Sequence, residues 1–109
     1  MKIYHHVGIP TKTKKDGETY YPHLKIHASG FETSEYGIEW VRFDSDCFMP
    51  KIIQTIPHVC FKVDDITKEL KNKKILVEPY SPSEGIKVAF IEENGAPIEL
   101  LMFDNESKK

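Results

Sequence analysis

The sequence carries the same short pattern twice, and this repetition limits its possible folds more than any other feature. The first copy begins with Tyr-His-His-Val-Gly-Ile at residues 4–9, and the second with Pro-His-Val-Cys-Phe-Lys-Val at residues 57–63. Each is followed by a run that contains a glutamate, Ile-Glu-Trp-Val-Arg-Phe at 38–43 and Ile-Glu-Leu-Leu-Met-Phe at 98–103. Internal repetition indicates a fold built from similar units. We therefore predict two related halves, each with one early histidine and one late glutamate.

The length of the chain fits these two halves into one small domain. A chain of 109 residues supports a single modest hydrophobic core. We predict one domain over residues 1–109, with module one at about 1–45 and module two at about 57–105.

Charge and cysteine content exclude several classes of partner. The formal net charge is -2, so we expect binding to neither nucleic acid nor an anionic membrane surface. No apolar stretch approaches the roughly 20 residues that span a bilayer. The two cysteines, Cys47 and Cys60, lack a C-x-x-C spacing, which favours free thiols in a reducing compartment. We expect a cytoplasmic protein.

The first half predicts three strands separated by irregular chain. Apolar and polar residues alternate with a period of two over residues 2–9, 23–29 and 36–43, as is typical of strands. Residues 10–22 contain proline, glycine and several lysines without a helical apolar stripe, which indicates a loop. Residues 44–56 are predicted to be the linker between the halves.

The second half predicts a strand, a helix and three further strands. Residues 57–63 form the first strand, and Asp64 or Asp65 is a suitable N-cap for a short helix near 66–73. Asn94-Gly95 is a strong signal for a tight hairpin. The remaining strands are predicted at 75–79, 86–92 and 97–103.

The phase of the strands selects one histidine in each half. Alternate side chains on a strand share a face, and the apolar face of residues 57–63 contains Val59, Phe61 and Val63. His58 lies on the opposite face. In the first half, His5 falls on the apolar face and His6 on the other. His6 is therefore the predicted counterpart of His58.

Each glutamate shares a strand face with apolar residues, so its carboxylate is predicted to be partly buried. Such a carboxylate requires a partner, a proton or a metal ion. A lone histidine or glutamate is more often a surface or satisfied core residue, but matching phase in both halves favours a joint site. Two imidazoles and two carboxylates form a plausible divalent metal site. The apolar neighbours on the same face are Val41 and Phe43 for Glu39, and Leu101 and Phe103 for Glu99.

The chain resembles the vicinal oxygen chelate superfamily, which includes glyoxalase I, fosfomycin-resistance proteins, methylmalonyl-CoA epimerase and extradiol dioxygenases. The resemblance is strongest in His-Val-Cys-Phe-Lys-Val-Asp-Asp-Ile from residue 58 and Gly-Ala-Pro-Ile-Glu-Leu-Leu from residue 95. It implies an α+β fold in which two βαβββ modules form a half-open mixed β-barrel. The chain departs from this pattern over residues 10–22, where the helix of the first module is reduced or missing.

The resemblance also implies a site and its chemistry. The family's ligand pattern falls on His6, Glu39, His58 and Glu99, which would hold one divalent ion. Zn, Ni, Fe, Mn and Co all suit this ligand set. One carboxylate of such a site can act as a general base, and Glu99 is the predicted one because the second half keeps the family pattern best.

The implied function is a metal-dependent, glyoxalase-like lyase, isomerase or small dioxygenase that acts on a small oxygenated metabolite. The alternative is a non-catalytic module that binds a small molecule on the same fold, as in bleomycin-resistance relatives. A third possibility is a structural remnant in which the four residues only bond to one another. Many family members are dimers, which implies a homodimer here. Weaker candidates for substrate contacts are Tyr4, Trp40 and Cys60, although Cys60 is more typical of a small buried hydrophobe.

Overall fold

Eight strands form one mixed sheet that curls into a half-open barrel, in a computed structural model whose described part is residues 2–104. The sheet order is β2-β3-β4-β1-β5-β8-β7-β6. The first four strands in the chain are β1 (Ile3–Pro10), β2 (Thr19–Tyr21), β3 (Ile26–Ser29) and β4 (Ile38–Phe43). The others are β5 (His58–Lys62), β6 (Lys74–Tyr80), β7 (Ile86–Glu93) and β8 (Ala96–Phe103).

The strand order has a pseudo-twofold axis between β1 and β5. These two strands pair antiparallel at the centre, and each pairs in parallel with the last strand of its own module, β4 or β8. The outer strands then follow antiparallel in the same order on both sides. This arrangement confirms the predicted half-open barrel of two modules. The predicted module ends at residues 1 and 105 lie outside the described residues.

Module two carries a short helix over the outer face of its sheet. Helix α2 (Ile66–Glu69) is shorter than the predicted 66–73. Its Ile66 packs with Val63 and with apolar residues of β7 and β8 that point away from the barrel interior. Those residues are Ala89, Ile91 and Leu100. An apolar outer face needs this cover, because exposed apolar area of that size is unfavourable in water.

Two local predictions about this module are confirmed. The carboxylate of Asp65 accepts a hydrogen bond from the backbone N–H of Lys68 at 3.3 Å, so Asp65 is the N-cap of α2. Asn94 and Gly95 join β7 to β8 with φ of 55° and 80°. Positive φ at both central residues is the requirement of the tight hairpin turn.

Module one has no helix between its first two strands in the described part of the chain, and β2 lies within the predicted loop at 10–22. Polar contacts join the outer sides of β2, β3 and β4 in this module. Arg42 makes a two-point ion pair with Glu18, at 2.9 and 2.7 Å. Asp44 bonds to His27 at 2.9 Å and to the hydroxyl of Tyr20 at 2.6 Å.

The connection between the modules contains a helix that the sequence analysis treated as linker. Helix α1 (Lys51–Thr55) lies inside the predicted linker at 44–56. Its Ile53 is almost fully buried and packs with Met49, Leu24 and Phe90, which joins both modules in one apolar cluster. Within residues 2–104, neither helix is long and apolar enough to cross a bilayer.

The Glu18–Arg42 ion pair predicts a specific dependence of stability on pH. The hydrogen bonds from Arg42 lower the pKa of Glu18 from 4.5 to about 2. A depressed carboxyl pKa stabilises the folded state above the unfolded pKa, and this stabilisation disappears as the pH falls toward the folded pKa. The gap in free energy of unfolding between wild type and Glu18→Gln should therefore close between about pH 5 and pH 2. Chemical denaturation at several pH values measures it, with Glu35→Gln, which removes an exposed glutamate, as the control variant.

Candidate functional site

Backbone register places the predicted site residues in two rows across the four central strands. Each row joins a histidine of one module to a glutamate of the other, with one small residue between them on the intervening strand. The rows run Glu39, Gly8, His58 and His6, Cys60, Glu99.

Gly8 is a site residue that the sequence analysis missed. A Cβ added at this position would lie 2.2 Å from Cε1 and 2.6 Å from Nε2 of His58, closer than real Cβ contacts allow. The His58 ring therefore occupies the space that a side chain at position 8 would need. The available signal was a glycine inside an alternating strand, which often marks a close approach by another group.

Three of the four predicted ligands converge directly. Glu99 Oε1 accepts a hydrogen bond from His58 Nε2 at 2.9 Å and lies 3.2 Å from His6 Nε2. The ligand atoms of these three buried residues all lie within 4.8 Å of one another. Glu39 is less tightly held, with its Oε1 3.4 Å from His6 Nε2, and it does not belong to this group of three.

The two carboxylates differ in their electrostatic environment. Burial alone would raise the pKa of Glu99, but hydrogen bonds with His58 and His6 outweigh it and hold that pKa at about 2. Burial is also the largest influence on Glu39, and there it does raise the pKa, because the opposing effect of His6 is weaker. Burial lowers the pKa of His6, yet Glu99 and Glu39 raise it overall. Glu99 is thus a fixed anion and Glu39 the carboxylate that takes up a proton more readily.

A bulge in β1 overturns the predicted orientation of His5. The pairing of β1 with β5 shifts between Tyr4 and His6, so that His5 is the extra residue. Its imidazole consequently lines the barrel cavity beside His6, instead of sharing the outer face with Val7. The Nδ1 atoms of His5 and His6 are 2.8 Å apart, and the His5 ring stacks on Phe31 with centroids 5.0 Å apart.

Cys60 lies beside the site and is fully buried. Its sulfur lies within 4.8 Å of ring nitrogens of His5 and His6, so these three residues form a second group with metal-ligand atoms. Burial, together with the nearby Glu99 carboxylate, raises the pKa of the Cys60 thiol. The thiol packs with Val88 and Leu101 and is not among the residues that line the cavity. This placement agrees with the role of a small buried hydrophobe.

The converging residues lie at the wall of a cavity of about 350 Å³ inside the half-barrel. His6, His58, Glu39 and Glu99 all line it. The apolar neighbours of both glutamates also line it, as the strand phase predicted: Val41, Phe43, Leu101 and Phe103. The cavity therefore combines a polar ligand cluster with apolar walls from both modules.

The other two candidates for substrate contacts lie away from this cavity. Trp40 is on the opposite face of β4, where the ammonium group of Lys15 lies 4.4 Å from its ring centroid. The hydroxyl of Tyr4 donates a hydrogen bond to the carbonyl of Tyr36 at 2.6 Å, on an exposed part of the surface. Neither residue lines the cavity.

Comparison with known proteins supports the fold alone. No protein-family model matches the chain, and no curated protein matches it by sequence. The chain is similar in structure to a hypothetical protein, BH1468, from Bacillus halodurans C-125, with a TM-score of 0.71 and 18% sequence identity. The match covers 93% of this chain and 94% of that one. The half-open barrel is therefore an architecture already observed in a crystal structure.

The contact between Gly8 and His58 predicts a strong effect of a single added methyl group. Gly8→Ala should displace the His58 ring and break its bond to Glu99, lowering the free energy of unfolding by about 1–3 kcal/mol. Changed imidazole NMR signals of His58 would report the lost bond without any metal. Gly85→Ala is a suitable control, because position 85 has φ of 82° with open space around it. That variant should cost about 1 kcal/mol through backbone strain and leave the His58 signals unchanged.

Proposed function

We propose that this protein is a divalent-metal-dependent enzyme of the glyoxalase type, within the vicinal oxygen chelate superfamily. It would act as a lyase, an isomerase or a small dioxygenase on a small oxygenated metabolite. The observation that carries the proposal is the convergence of His6, His58 and Glu99 at the wall of an internal cavity. Equivalent strands of the two modules supply these residues, with Glu39 beside them.

The side chains fit a divalent ion by their chemistry. Both imidazoles turn Nε2 toward Glu99, so two nitrogen donors and one carboxylate share a focus. The other nitrogen of His6 contacts His5, and a partner of this kind orients a metal-binding imidazole. Nitrogen and carboxylate donors suit Zn, Ni, Fe, Mn and Co alike. When bound, the ion supplies a Lewis acid to two adjacent substrate oxygens.

The contacts of the two carboxylates favour different roles for them. Glu99 is held by two imidazoles at 2.9 and 3.2 Å, so it is suited to remain a ligand. Glu39 has one looser contact, 3.4 Å from His6, and its side chain is 24% exposed. A general base must move toward a substrate proton and away again, which Glu39 can do with less loss of contacts. We therefore assign the base to Glu39, whereas the sequence analysis placed it at Glu99.

A binding module without catalysis is the second candidate function. The mainly apolar lining of the cavity favours it, since such walls hold a small molecule whether or not chemistry follows. In both cases the partner is a small molecule. The expected homodimer and cytoplasmic location remain predictions.

Metal analysis tests the proposal. Purified wild type, stripped and then titrated with Co, Ni, Zn, Mn and Fe, should bind about one ion per chain, and His6→Ala and Glu99→Ala should weaken binding by more than about 100-fold. Circular dichroism would show that these variants remain folded. His23→Ala, which removes an exposed imidazole, is the matched control and should bind like wild type. Absence of metal binding in wild type would refute the enzyme and leave the binding module.

The division of roles between the carboxylates gives a separate prediction. Glu99→Gln should lose metal affinity by more than about 100-fold, because it replaces the anionic carboxylate that both imidazoles contact with a neutral amide. Glu39→Gln should lose less than about tenfold, because the contact of Glu39 with His6 is loose, at 3.4 Å. Competition with a fluorescent zinc chelator measures both affinities. An equal loss in the two variants would contradict the assignment of Glu39 as the mobile carboxylate.

A further inference from the structure

Acidic side chains outnumber lysine and arginine around the cavity. Three glutamates line it, Glu32, Glu39 and Glu99, and within residues 2–104 no lysine or arginine does so. Away from the three imidazoles that also line the cavity, an anionic group would lose water and face carboxylates without a compensating cation. Desolvation and repulsion of like charges both oppose this.

The apolar walls extend from the ligand cluster in two directions. Val41 and Phe43 follow Glu39 along β4, and Leu101 and Phe103 follow Glu99 along β8. Strands β4 and β8 run in opposite directions, because each is parallel to one of the antiparallel central strands. A molecule held at the cluster therefore has apolar surface on both sides.

One of the two sides is closed by helix α1. Met49 and Ile53 pack there with Leu24 and Phe90, and all four side chains are buried and line the cavity. We call these four residues the α1 pocket. All four side chains are apolar, so burial of an apolar group there is favourable in proportion to its area.

One lysine lies near the cavity wall on the other side. Lys62 Nζ lies 5.7 Å from the ring centroid of Phe103, which packs in the cluster of Cys60, Val88 and Leu101. That cluster is separate from the α1 pocket. An anionic group directed toward Lys62 would gain a cationic neighbour outside the α1 pocket.

We propose that the ligand of this cavity has an uncharged, apolar arm that fills the α1 pocket. The class is a small molecule with two adjacent oxygens at one end and a hydrocarbon or aryl group at the other. Molecules whose arm carries a carboxylate or phosphate are excluded. The oxygen end rests on the proposed function, whereas the arm rests on the cavity walls alone.

Matched hydroxamates test the arm, because they chelate metals through two adjacent oxygens and can differ only at the far end. With zinc-loaded protein, 4-methylbenzohydroxamate should bind at least about tenfold more tightly than both acetohydroxamate, which has no arm, and 4-carboxybenzohydroxamate. Isothermal titration calorimetry measures all three. The inference is overturned if the carboxylated compound binds as tightly as the methylated one. Loss of such tight binding in Lys62→Met would trace it to that lysine.

Two neighbouring variants locate the arm. Met49→Ala should weaken 4-methylbenzohydroxamate several-fold without changing acetohydroxamate, because only the longer compound reaches the α1 pocket. Phe48→Ala is the matched control, since Phe48 is 67% exposed and does not line the cavity. If Met49→Ala does not fold, Ile53→Val provides the same test, because it removes less side-chain volume from the α1 pocket. The inference is overturned if Met49→Ala and Phe48→Ala weaken binding equally. It is also overturned if neither Met49→Ala nor Ile53→Val weakens binding, because the arm would then lie elsewhere.

An experiment on metal-free protein distinguishes the apolar arm from the proposed function. 4-Methylbenzamide and 4-carbamoylbenzoate have the same two arms without a chelating group. In metal-free protein, the neutral amide should shift the methyl NMR signals of Met49 and Ile53, and the anion should not. This result in a protein that binds no metal would reject the enzyme and retain the apolar pocket. The reverse preference would reject the pocket even if metal binds.

Discussion

The site depends on space for two imidazole rings over the paired strands β1 and β5. β1 and β5 are in register so that His58 faces Gly8 and His6 faces Cys60. A larger residue at either small position would push an imidazole away from Glu99, and a slip of one residue would turn these side chains to the other face of the sheet. The ligand cluster is therefore a product of strand pairing between the modules more than of either strand alone.

The inner faces of the two modules carry the same pattern of side chains, whereas their outer faces differ. Inside, each strand pair presents a histidine, a glutamate and apolar neighbours in equivalent positions. The outer face of module two is apolar and is covered by α2. On the outer side of module one, Arg42 pairs with Glu18 and Asp44 contacts Tyr20.

The alternating pattern was sufficient to predict most strands and the face that each glutamate occupies, and the Asn94-Gly95 dipeptide predicted the hairpin. It failed where pairing with another strand decides the outcome. The bulge that turns His5 inward exists only because β1 meets β5, and no local signal marks it. Strand β2 is three residues long, and α1 is one short helix, so neither offers enough residues for a period to show. The steric role of Gly8 likewise depends on His58, which lies 50 residues away in the chain.

The central position of the β1–β5 pair has a consequence for how the protein folds. These strands are distant in sequence, so their pairing requires closure of a long loop, and such non-local contacts tend to form slowly. Of the four predicted site residues, one module by itself holds one histidine and one glutamate. The complete set of ligand atoms exists only after both modules have docked. An ion bound by that set stabilises the docked state alone, which would make assembly of the site and completion of the fold the same event.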